Sequence, residues 1–139
     1  MPKKTVKKKK EKYIEAVGRR KTSTARVRIW SNSKPEFKVN GKNIDDYFPA
    51  EKLQKVAKEP FLKMNCLDKF KVSVLVKGGG ISSQADAVRH SSARVLVKFN
   101  PDFRKRLRKV GFLTRDPRMR ERKKFGLKRA RRAPQWRKR

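Results

Sequence analysis

Cysteine and histidine occur once each in this 139-residue chain, as Cys66 and His90, and acidic residues number only 12. One cysteine permits no internal disulfide, which fits a reducing compartment. One cysteine with one histidine does not furnish the ligands of a tetrahedral zinc site, so no metal and no cofactor is expected. A Cys66–His90 dyad is the one thiol–imidazole pair the composition allows. Helical spacing sets His90 opposite the core stripe, while Cys66 packs as a small apolar residue, so catalysis is not expected. The acids are scattered; Asp45-Asp46 is the single adjacent pair and sits where it caps a helical turn. Long apolar runs are missing, which argues against a membrane span. The start, MPKKTVKKKKEK, leads into no apolar stretch, so no secretory signal is expected, and it lacks the Arg-rich amphipathic pattern of a transit peptide. Repeats of roughly 20–50 residues are also absent.

What the chain has is positive charge. Its 43 Lys and Arg give a net charge of +31 and a pI near 11.3. Residues 1–12 contribute +6, 13–114 contribute +14 and 115–139 contribute +11. The middle is basic as well as the ends, so a polyanionic partner should touch a folded part too. The expected layout is a disordered lysine arm at 1–12, one globular domain at 13–111 and an extended basic tail at 112–139. The tail carries 13 Lys or Arg against two acids over 115–139, punctuated by Pro117, Gly126 and Pro134. Its large apolar residues are Met119, Phe125, Leu127 and Trp136, too few to offset the entropy of ordering. Phosphates at close spacing supply the missing counter-charge, with release of condensed counterions as the driving force.

The domain alternates between strand and helix signals. Residues 13–17 and 22–30 read as strands, with Ala25, Val27 and Ile29 facing one way and Arg26, Arg28 and Trp30 the other. Residues 36–39 form a short strand ended by Asn40-Gly41, a dipeptide that favours a tight turn with positive φ. Residues 45–48 suit one helical turn. A helix is expected over 50–58, with Leu53, Val56 and Ala57 inward and Pro60 near its end. Residues 71–77 are a strand with Val72, Val74 and Val76 on one face. After three glycines, a helix runs from 81 to 99 with an apolar stripe of Ile81, Ala85, Val88, Ser92, Val95, Leu96 and Phe99. His90, Arg94 and Lys98 fall on the opposite face as an exposed ridge. Asn100-Pro101 opens a last helix through Lys109, which buries Phe103, Leu107 and Val110, turns five basic residues outward and closes at Gly111.

Several features present cations where a nucleic acid can meet them. Gly18-Arg19-Arg20-Lys21 lies between two strands, either as a phosphate-reaching loop or as a plain turn with solvated charges. Trp30, beside Arg26 and Arg28, either stacks on an unpaired base or covers a second helix layer. Gly78-Gly79-Gly80 stands at a strand-to-helix junction that attracts an anion, or is simply a tight turn. No Gly-Lys-Ser/Thr ending or GxGxxG spacing follows, which rules out the usual nucleotide loops. The candidate phosphate contacts are thus Arg19, Arg20 and Lys21, then Arg26 and Arg28, then Lys77 with Gly78, Gly79 and Gly80. Arg89, Arg94 and Lys98 join them from the long helix. In the tail they are Arg115, Arg118, Arg120, Arg122, Lys123, Lys124, Lys128, Arg129, Arg131 and Arg132. A DNA-compacting protein is the rival reading, although such tails are usually repetitive and rich in Lys, Ala and Pro.

Four motifs in this order resemble one family: GRRKTSTARV (18–27), VKGGGISSQADAVRHSSARVL (76–96), LRKVGFLTRDPRMRERKKFG (107–126) and KRARRAPQWRKR (128–139). The chain is similar to the small-subunit ribosomal protein number nine family, of bacterial type. That resemblance implies an α/β (α+β) fold with a mainly antiparallel four- to five-stranded sheet and helices packed on one side. The fold type would be that of the second domain of ribosomal protein S five, plus the basic tail. It implies a structural constituent of the small ribosomal subunit and no enzyme. The partners implied are the 3′ major domain of 16S-type rRNA in the subunit head, the P-site tRNA and neighbouring head proteins, with no membrane and no small-molecule substrate. The implied location is the cytoplasm, or an organelle stroma if the protein is organelle-encoded. The tRNA contact would fall on Arg137, Lys138 and Arg139. Family members commonly end aromatic–Ser–Lys–Arg, so Arg137 stands in the serine position and Trp136 where phenylalanine is usual.

Overall fold

A computed structural model describes residues 12–138; all of the expected lysine arm except Lys12, and Arg139, lie outside the described residues. Strands β1 (Ile14–Arg20) and β2 (Ser23–Trp30) form a hairpin, and β3 (Glu36–Val39) and β4 (Lys42–Asn43) a second, smaller one. A helical turn α1 (Ile44–Tyr47), helix α2 (Glu51–Lys63) and a short 3-10 turn (Leu67–Lys69) lead to β5 (Lys71–Lys77). Helices α3 (Ile81–Phe99) and α4 (Phe103–Val110) complete the domain. The strand order is β1-β2-β5-β3-β4. The sheet is mixed rather than all antiparallel: β2 pairs antiparallel with β5, but β3 runs parallel to it. A parallel pair needs a long crossover, which α1 and α2 provide.

The sheet buries one face. Ala16, Ala25, Val27, Ile29, Val72, Val74 and Val76 are all buried, on alternate positions of three strands. Helix α3 covers this face and is itself wrapped on two sides, by the sheet and by α2. Its buried set therefore exceeds the expected stripe: Ser83, Ala87, Ser91 and Ala93 are inside as well. Ile81 and Phe99, at its two ends, are about half exposed instead of inward. Small residues make the close approach possible. A Cβ on Gly18 would lie 2.3 Å from the Ser91 nitrogen and 2.5 Å from the Ala87 oxygen, so β1 and α3 touch backbone to backbone there.

Local signals explain most boundaries. Asn40 (φ 49°) and Gly41 (φ 81°) both adopt the left-handed conformation of a two-residue hairpin turn. The Asn40 side chain then continues the β3–β5 ladder, accepting from the Val76 amide at 2.9 Å and donating to the Val76 carbonyl at 3.1 Å. Gly111 closes α4 with φ 86°. Helix α2 differs from expectation: it passes Pro60 and continues to Lys63. Proline in a last turn forfeits one hydrogen bond, and here that loss is offset by burying Pro60 and Phe61, whose ring meets Phe37 edge-on at 5.8 Å. Helix α4 buries Leu107 fully and Phe103 in part, but leaves Val110 exposed.

Candidate nucleic-acid interface

The Gly18–Lys21 stretch is not a loop. β1 runs through Arg20, paired residue by residue with β2, and only Lys21 and Thr22 turn, with Lys21 at φ 51°. Strand alternation then separates the two arginines. Arg19 is exposed, whereas Arg20 points to the helix side, where its side chain is 17% exposed. It lies 3.7 Å from Asp86 of α3 and 3.4 Å from Asp116, and donates to the Arg118 carbonyl at 2.6 Å. Arg89 is likewise engaged, with Glu59 at 3.5 Å, Asp86 at 3.3 Å and the Phe112 ring below its guanidinium.

The open face of the sheet carries Arg26, Arg28, Trp30, Lys71 and Lys77. The helices lie on the other face, so Trp30 covers no second helix layer. Its ring packs beside Tyr13 at 5.6 Å, with Arg28 over the tyrosine and Lys71 over the indole. Arg28 also pairs with Glu15 at 2.9 Å. Arg26 and Lys77 are exposed.

At the glycine junction, Gly78 (φ 75°) and Gly79 (φ 63°) need the freedom of glycine, and Gly80 caps α3. The junction satisfies part of its own backbone. Ser83 Oγ accepts from the Gly80 amide at 3.1 Å, and Ser23 Oγ and Gln84 Nε2 both donate to the Gly78 carbonyl at 3.0 Å.

The ridge on α3 is not free either. Arg94 donates to the Val17 carbonyl at 2.5 Å and Lys98 to the Glu15 carbonyl at 2.9 Å, while His90 Nδ1 accepts from the Arg19 amide at 3.4 Å. His90 is half-buried instead of exposed. Its pKa is lowered, first by burial and then by Arg94, Arg115 and Arg89, against a raising hydrogen bond to the Leu113 backbone. Cys66 is buried at the far end of α2, beside the Phe61 carbonyl, and burial pushes its thiol up. Neither residue meets the other's partners, so the dyad does not assemble.

Arg104, Lys105, Arg106, Arg108 and Lys109 cover the outer side of α4, all exposed. These five are missing from the candidate contacts above, although the amphipathic spacing around Leu107 marks them. From Thr114 to Lys138 the chain has no helix or strand. Its two acids work as staples. Asp116 takes Arg118 at 2.8 to 3.1 Å and is held far below the usual carboxylate range by that contact, then by the Arg118 amide and Arg20. Glu121 holds Lys124 at 2.6 Å and Arg131 at 2.8 Å, which lowers its pKa. Arg115, Arg120, Arg122, Lys123, Lys128, Arg129, Arg132, Arg137 and Lys138 have no acidic partner among the described residues, and Phe125 and Trp136 are 96% and 85% exposed.

So much unneutralised charge, spread over one helix, one sheet face and a tail with bare aromatic rings, defines the chain as a basic α/β scaffold. The family model described as "Ribosomal protein S9/S16" matches residues 18–139. The chain is 46% identical over 124 residues to the small ribosomal subunit protein uS9 of Lawsonia intracellularis (strain PHE/MN1-00), covering 89% of this chain and 95% of the relative. It is 48% identical over 126 residues to the protein of the same name from Amoebophilus asiaticus (strain 5a2), covering 91% and 98%. The chain belongs to the ribosomal protein S9/S16 family. It is a structural protein of the ribosome and not an enzyme, and its partners are ribosomal RNA and other subunit proteins.

Proposed function

We propose that this protein sits in the head of the small subunit, where residues 13–111 bind the 3′ major domain of 16S-type rRNA. The tail, 112–139, threads on to the anticodon stem-loop of the P-site tRNA. The domain takes the fold type of the second domain of ribosomal protein S five. Arg19, Lys21, Arg26, Arg28 and Lys77 supply phosphate contacts from the domain, with Gly78 and Gly79 offering amides beside Lys77, since the Gly80 amide is taken by Ser83. Arg94 and Lys98 serve the β1 carbonyls rather than phosphate. Arg115, Arg118, Arg120, Arg122, Lys123, Lys124, Lys128, Arg129, Arg131 and Arg132 line the tail's path, and α4 adds its five cations. Arg20 and Arg89 act on the protein itself.

One observation carries this reading. Phe125 and Trp136 stand almost wholly exposed in a cationic segment without secondary structure. Bare rings among unpaired cations match what stacking on bases and charge-assisted bonds to phosphates require. Lys138 with its neighbours Arg137 and Arg139 then steadies the tRNA by bonds to stem phosphates.

Deleting residues 137–139 tests the tRNA end of the proposal. Truncated subunits should assemble and sediment normally while losing P-site tRNA faster and shifting frame more often. Unchanged tRNA retention and frameshifting would sink that role. Crosslinking of the whole chain in cells tests the rest: crosslinks confined to small-subunit rRNA and anticodon stems support it, whereas crosslinks to DNA or to unrelated RNAs do not.

A further inference from the structure

The tail leaves the domain through a built junction. Phe112 is 7% exposed, under the Arg89 guanidinium. Leu113 offers its backbone to His90. Pro117 restricts the next turn, and Arg118 folds back to chelate Asp116 through its side chain and its amide. Arg20 meets all of this from below. Its guanidinium spans Asp86 on α3, Asp116 in the tail and the Arg118 carbonyl, so one planar group ties β1, α3 and the tail together.

We infer that Arg20 is a positioning residue for the tail: it latches residues 112–118 onto the domain and so sets the direction in which the remaining cations depart. The inference rests on the reading that the tail's end has a fixed target. A tail hinged at 118 explores a smaller volume than one hinged at 111, and that raises the effective concentration of its end at a target the direction favours. The contacts come from residues that are not neighbours in sequence, and they engage all three guanidinium nitrogens of a side chain otherwise suited to phosphate. Sequestering one of 43 cations makes physical sense if the ordering of the tail's root matters more than one further phosphate contact.

The test uses the full chain with Cys66→Ala and spin labels at Met119→Cys, just past the latch, and Lys38→Cys, on the sheet. A narrow distance distribution is expected for this background, broadened by Arg20→Gln. Asp116→Asn, which leaves the core untouched, should broaden it too, and the double variant should go little further than either single one. A distribution that stays narrow in both single variants overturns the latch. Small subunits reconstituted with Arg20→Gln should then lose P-site tRNA several-fold faster, approaching the variant lacking 137–139. If Arg20→Gln broadens the distances yet retains tRNA while the deletion does not, the positioning role is wrong. Should the deletion itself leave tRNA bound, the tRNA reading fails, and the distance measurement alone decides the latch.

Discussion

Arg94 of α3 donates to the carbonyl of Val17 on the outer edge of β1. Four residues on, Lys98 donates to Glu15; four residues back, His90 accepts from the Arg19 amide. Four helical residues advance about 6 Å and two strand residues about 6.7 Å, so a helix laid along a strand can meet every second backbone group with every fourth side chain. An edge strand normally presents unpaired groups that invite another strand. Here side chains occupy three of them. Replacing Arg94 and Lys98 together by glutamine should lower stability by about 1–2 kcal/mol, read from the urea midpoint at constant m. The same variant should show a salt slope of RNA binding close to the parent's. A slope flattened by roughly 0.7 per site would instead show both cations on phosphate.

Gly18→Ala should be costlier. The added methyl meets backbone atoms of α3 at 2.3 and 2.5 Å, which no rotamer relieves. Overpacking of this kind costs about 1–3 kcal/mol, and the upper end is expected because backbone must move. Thermal unfolding of the variant beside the parent measures it; an unchanged midpoint would mean that α3 and β1 are less tightly apposed than described.

Ser92→Ala should have the opposite sign. Ser92 Oγ is buried with no hydrogen-bond partner among the described residues, whereas the adjacent Ser91 Oγ bonds back to Ala87 and Val88. Removing an unsatisfied hydroxyl without changing the packing should stabilise the fold by about 1 kcal/mol. Chemical denaturation reads the difference directly.

His90 makes stability pH-dependent. Its folded pKa lies below the ordinary value of 6.5, chiefly through burial. Between the two values the unfolded chain binds more protons than the folded one, so stability rises with pH there. The contribution is complete above about 6.5 and is lost as pH falls toward the folded value. His90→Gln should remove that slope. A parent whose urea midpoint is flat from neutral to mildly acidic pH would contradict it.

Phe125→Ala and Trp136→Ala should leave the melting temperature unchanged, since neither ring packs on the domain. Each should weaken binding to the cognate rRNA or to tRNA-loaded subunits by about 1–3 kcal/mol if it stacks on a base. Filter binding of the two variants, alone and combined, decides this.

Period and punctuation carried much of this fold. The alternation of Ala25, Val27 and Ile29 against Arg26, Arg28 and Trp30 is a purely local signal, and Gly80 with Asn100-Pro101 brackets α3. Pro60 misled because burial of Phe61 depends on Phe37 of β3 and on Phe70, which a window around the proline does not contain. The cations were plain from composition, and their division of labour was not. Arg20 looks like Arg19 in the sequence; only the pleat and the distant Asp86 and Asp116 separate them. Arg94 and Lys98 are exposed as the helical spacing implies, but their bonds to β1 were hidden in the sequence, since Val17 lies 77 residues away from Arg94.

The middle strand of the sheet is also the last to be made. β1–β2 and β3–β4 close as local hairpins, yet they share no hydrogen bonds with each other until β5 enters between β2 and β3. A nascent chain stopped before residue 71 thus holds two hairpins and no common sheet, with the entropy of a long loop still to be overcome. Assembly of the domain is gated by synthesis of its own centre. The cationic tail emerges only afterwards, when there is a finished surface for its root to grip.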